Sequence, residues 1–192
     1  MGSRHFLTIT VASLSVASCS TSEAIERMAG ENGKREAFHL ADLLCSTDRE
    51  ALRARFDPKL WVESEKELAK APAYCPNGRH EQRLAGYFWE SRADTSGSIS
   101  QKQYVVVSRS PGKWTTTTFV LEARNGAAER IVSWSINAGP EKPADLEKMD
   151  AFDASLPKIR AVALGALVLA IVLVGGVIRY FRRQHRRQTN RP

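Results

Sequence analysis

Lys113–Ala123 reads KWTTTTFVLEA. β-branched and aromatic residues fill it, and such side chains suit a pleated, half-buried surface. Its residues alternate. Trp114, Thr116, Thr118 and Val120 share one face; Thr115, Thr117, Phe119 and Leu121 share the other. A period of two predicts a strand. Turn signals bound it: Ser110-Pro111-Gly112 before, and Asn125-Gly126, a strong hairpin pair, after. Strands are therefore expected on both sides. Glu129–Ala138 sets Val132, Trp134 and Ile136 opposite Ser133, Ser135 and Asn137. Gln101–Arg109 is centred on Tyr104-Val105-Val106-Val107, and Gln82–Ala93 sets Ala85, Tyr87 and Trp89 opposite Leu84, Gly86, Phe88 and Glu90. Four consecutive strands with short turns predict an antiparallel meander.

The chain before the meander has helical spacing. Ser22–Met28 gives one or two turns before Gly30-Glu31-Asn32-Gly33 interrupts. Lys34–Cys45 then repeats Phe38, Ala41, Leu44 and Cys45 on one face. Thr47-Asp48-Arg49-Glu50 fits a capping box for a short helix through Arg55. Asp57-Pro58 starts another, with Asp as N-cap and Pro in the first turn. That helix turns Leu60, Trp61, Ser64 and Leu68 inward and ends at Pro72. Helices followed by a meander define an α+β class, with the helices packed on one face of a curved antiparallel sheet of about four strands.

The last part of the chain is of a different kind. Ala161–Ile178 (AVALGALVLAIVLVGGVI) contains no charge and no hydrogen-bonding side chain. About 18 apolar residues cross most of a bilayer core as a helix. Arg179, Arg182, Arg183, Arg186, Arg187 and Arg191 follow, with no acid among them. The positive-inside bias puts that tail in the cytoplasm and the preceding domain outside. At the other end, Phe6–Ala17 is an apolar run of a dozen residues behind Arg4, followed by Ser18-Cys19. This is the layout of a secretory signal peptide. Lipidation of Cys19 after cleavage and ordinary cleavage a few residues either side both fit it. The expected organisation is a leader over 1–18, an extracytoplasmic domain over 19–140, a linker over 141–158, a transmembrane helix over 159–180 and a basic tail over 181–192. The expected location is a bacterial inner membrane, with lipid and an envelope protein as partners.

The formal charge of +7 looks like that of a nucleic-acid binder until it is partitioned. Between Cys19 and Lys158 there are 20 basic residues against 21 acids, so the domain is about neutral. The basicity belongs to the membrane flank, and no nucleic-acid partner is expected. Cys45 and Cys75 form an even pair in an oxidising compartment, which predicts a disulfide. The chain has no CxxC, and His39 and His80 lack ligand spacing, so neither metal nor other cofactor is expected.

The helix with Phe38 and Leu44, then Ser46-Thr47-Asp48-Arg49-Glu50-Ala51-Leu52, Arg55-Phe56-Asp57 and strands ending in Ile131-Val132-Ser133-Trp134 together resemble the NTF2-like, cone-shaped domains. The resemblance covers Ala37 to about Asn137. It implies a helix-backed curved sheet enclosing a pocket, in a superfamily that includes dehydratases, isomerases and binding proteins. Its enzymes set Asp and His into the pocket, and no such motif carries over to a position here. Trp61, Trp89, Trp114 and Trp134 either line that pocket or fill the core beneath the helices. The leading expectation is a non-catalytic binding or interaction module. The alternatives are an enzyme acting on a small apolar molecule in the sheet cavity and a transmembrane signalling or assembly subunit.

Overall fold

The computed structural model describes residues 20–95 and 97–189. The expected leader and Cys19 lie outside the described residues. The architecture is α+β: helices, a four-stranded antiparallel sheet and one long apolar C-terminal helix. Two compact units divide the chain, one running to Asp150 and the other taking the helix from Ala151 onward.

The first unit begins with α1 (Thr21–Cys45). Ser20 caps it: its Oγ accepts from Glu23 N, while the Glu23 carboxylate accepts from Ser20 N, both at 3.2 Å. The interruption expected near Gly30 is a single residue with φ +69° and ψ 165°, a conformation that favours glycine, and helix resumes on both sides. α2 (Arg49–Arg55) is capped by Asp48, whose Oδ1 accepts from Ala51 N at 2.9 Å. The cap is thus one residue later than the Thr47 box. Asp57 does cap the next helix, accepting from Lys59 N and Leu60 N. That helix is two, α3 (Pro58–Glu63) and α4 (Glu65–Lys70), because Ser64 between them has φ −93° and ψ 0°. A 3₁₀ turn, Ala71–Tyr74, follows.

The sheet order is β1 (Glu81–Asp94), β2 (Gly97–Ser110), β3 (Lys113–Arg124), β4 (Arg130–Gly139), every neighbouring pair antiparallel. β3 alternates as the sequence requires, with Thr115, Thr117, Phe119 and Leu121 buried towards the helices. Pro111-Gly112 closes the β2–β3 hairpin with Gly112 at φ +69°. β1 departs from its expected phase. Leu84 pairs with Val106 but Gly86 pairs with Val105, so Ala85 is an extra, bulged residue. The bulge brings Leu84 and Tyr87 onto one face, where simple alternation separates them. β4 has the same device at Val132: Val120 pairs with Ser133 and Leu121 with Ile131. Ile131, Trp134 and Ile136 therefore face inward, and Val132 leaves the face that alternation assigned to it.

The core lies between helices and sheet. Leu40, Leu44, Leu52 and Phe56 meet Leu84, Tyr104, Val106, Phe119, Leu121 and Ile131. Asp57 N donates to Ile131 O at 2.9 Å, which ties the helical layer to β4.

α5 (Ala144–Thr189) starts within the expected linker and incorporates Pro157. Its first turns belong to the first unit. Leu146 and Val107, on the sheet face away from the core, are both buried and line one groove. Asp150 accepts from Arg83 Nη1 at 3.0 Å and pairs with Lys142. In the second unit every described side chain from Ala161 to Gly176 is exposed, in a helix long and apolar enough to cross a membrane.

Candidate functional site

The residues flagged by sequence do not converge on one place. Trp61 and Trp134 both pack edge-on against Phe56, with ring centroids 5.6 and 6.3 Å away. Trp134 Nε1 also donates to the buried Ser64 Oγ at 3.1 Å, so these two rings fill the helix–sheet layer. Trp89 stands on the same sheet face further along β1 but is 56% exposed, with Nε1 3.3 Å from Ser100 Oγ. Trp114 is on the opposite face, under the Arg109 guanidinium at 5.2 Å. His39 is exposed and does not join the apolar face of its helix. Cys45 and Cys75 are bonded to each other.

One set of ionisable groups does converge in the inner layer. Glu36 pairs with Arg55, and its carboxylate lies beside the Tyr104 hydroxyl. Burial first, and then the Glu36 charge, push the Tyr104 phenol above its ordinary value, so it stays protonated. Gly33 accommodates it: a Cβ there would stand 3.1 Å from the Tyr104 oxygen. Lys102 pairs with Glu129 at 2.6 Å on the same sheet face. Each acid in this group has a basic partner, and Tyr104 is 1% exposed. The arrangement packs α1 against β2 around the phenol.

A cleft lies instead at the end of the sheet. It measures about 820 Å³ and is lined by Arg79, His80, Glu81, Arg109, Lys113 and Trp114, with the Ser110–Gly112 hairpin and Pro140. Sequence spacing cannot reveal it, because its walls come from the loop before β1, the β2–β3 hairpin and the segment after β4. Hydrogen bonds fasten that loop to the hairpin. Lys113 Nζ donates to Ala73 O at 2.8 Å and Cys75 O at 2.7 Å; Thr115 Oγ1 donates to Tyr74 O at 2.7 Å; Asn77 N donates to Ser110 Oγ at 3.3 Å. The Cys45–Cys75 bond ties the same loop to α1. His80 is held in the wall, with Nδ1 3.0 Å from Gly78 O and Nε2 3.4 Å from Asp42 Oδ1.

No family model, curated protein or solved structure matches this chain. Function must be argued from the molecule itself. Among the described residues no group of three or more His, Cys, Asp or Glu is placed to hold a metal ion.

Proposed function

We propose that the chain is a single-pass membrane protein that presents a non-catalytic, NTF2-like interaction module on the outer side of a bacterial inner membrane. One observation carries the reading. The run from Ala161 to Gly176 is entirely exposed, with no surface among the described residues to bury it, whereas an apolar helix in water needs one. A lipid core supplies that burial, and a helix satisfies its own backbone there. The arginines beyond the run support a cytoplasmic tail. The bonded Cys45 and Cys75 support an oxidising compartment for the domain. Helices preceding an antiparallel meander support the NTF2-like comparison. The space between those layers is occupied by Tyr104, Phe56 and Phe119, which favours an exterior binding surface over a reaction chamber. Membrane lipid and an envelope protein are the proposed partners.

Reporter fusions test this directly. Alkaline phosphatase joined after Pro192 should be inactive, and a fluorescent protein at the same point should be bright. The same phosphatase joined after Pro140 should be active. Reversed activities would overturn the orientation, and a chain that leaves the membrane fraction at alkaline pH would overturn the span.

A further inference from the structure

We propose that the cleft at the end of the sheet binds a phosphate group, carried either by a small soluble molecule or by a lipid headgroup. Most cations of the sheet are already engaged. Within the sheet, Arg83, Arg92, Lys102 and Arg124 pair with carboxylates. Arg130 donates to backbone carbonyls, and so does Lys113. Among the described residues, Arg109 is the sheet cation with neither kind of partner; its guanidinium lies over the face of Trp114. Stacking of this kind holds a guanidinium plane while leaving its N–H edge open to an oxyanion. Arg79, exposed and without an ion pair among the described residues, lines the same cleft.

Lys113 adds a third positive charge in a fixed position. Two carbonyls take two of its three donors, and one N–H remains. Glu81 is the acid in the lining against Arg79, Arg109 and Lys113, so the cleft carries an excess of positive charge. The three cations come from the loop before β1, the end of β2 and the start of β3. A tetrahedral phosphate directs oxygens towards donors on several sides, while a planar carboxylate is satisfied by one guanidinium fork. The loop that carries Arg79 is fastened to the hairpin and to α1, so little ordering is needed when the ligand arrives.

The test uses the full chain in neutral detergent and reads tryptophan emission, because Trp114 sits in the cleft. Probes are inorganic phosphate, glycerol 1-phosphate, short-chain phosphatidylglycerol and short-chain phosphatidylcholine, with acetate at matched ionic strength. A saturable change with a phosphate probe is expected, and an Arg79→Gln/Arg109→Gln double variant should weaken it at least tenfold. Arg27→Gln, an exposed site outside the cleft, should leave it unchanged. Responses to phosphate and glycerol 1-phosphate identify a soluble ligand; a response confined to phosphatidylglycerol identifies a headgroup. No saturable response to any probe, an equal response to acetate, or equal affinity in the folded double variant would overturn the proposal. Thermal melting of both variants establishes that they fold. The result does not depend on membrane orientation, so it stands or falls separately from the reporter fusions.

Discussion

Gly97 has φ +137°, and a Cβ there would come within 2.2 Å of Asn125 Oδ1. That oxygen accepts from Ser98 N at 2.9 Å, and Asn125 N donates to Ser98 O at 2.8 Å, so the β3–β4 turn is bound to the start of β2. Gly97→Ala must both strain the backbone and displace Asn125. The expected loss is about 1–3 kcal/mol, measured by thermal melting of the full chain in detergent. Gly126 also has a positive φ, +74°, but open space around its Cα. Gly126→Ala should cost about 1 kcal/mol, the backbone part alone. Equal losses at the two sites would show that the Asn125 contact contributes nothing. Trp134→Phe makes a similar separation. It keeps a ring against Phe56 and removes the indole N–H from Ser64, for an expected loss of about 1 kcal/mol by the same measurement.

Among the elements, the loop before β1 depends most on one covalent bond. The Cys45–Cys75 link spans a sequence separation of 30. In the chain-entropy view, closing a loop of that size contributes about 3–4 kcal/mol. Cys45→Ser should lower stability by that order, and dithiothreitol should do the same to the unaltered chain but not to the variant. The start of α5 depends on charge. Lys142 first, and then Arg83, hold the Asp150 carboxyl below its ordinary value of 3.8. A depressed carboxylate stabilises the fold above its unfolded pKa, and that contribution is lost as pH falls through the folded value. Amide protection over Ala144–Asp150, measured against the intrinsic exchange rate at each pH, should therefore hold from neutrality down to about pH 4 and fall below it. Asp150→Asn should remove the acid-dependent part of that change. How legible each element was in the sequence follows from its regularity. β3 was legible because an unbroken run of β-branched and aromatic residues lies between two turn signals, Pro111-Gly112 and Asn125-Gly126. β1 was not, because alternation carries no mark of an extra residue at Ala85, and every side chain beyond it changes face.

At the scale of the molecule, the long apolar helix was legible because eighteen uncharged residues in a row are their own signal. The cleft was not, since Arg79, Arg109 and Pro140 become neighbours only when the sheet has formed. Deleting residues 159–192 should move the chain from the membrane pellet to the supernatant while leaving its disulfide and thermal transition intact. A truncated chain that stayed with the membrane would reveal a second anchor in the remaining residues.

Both bulges, at Ala85 and Val132, fall on the two outermost strands, β1 and β4. A foreign strand can add to a sheet only where it meets an unbroken row of amide and carbonyl groups in register. Here each rim is interrupted by a residue that has no place in the ladder. The regular rim is shortened to Gly86–Asp94 on β1 and Ser133–Gly139 on β4, which limits the length along which sheets of crowded copies can fuse. That shortening comes from the same two residues that defeated the reading of the strand faces.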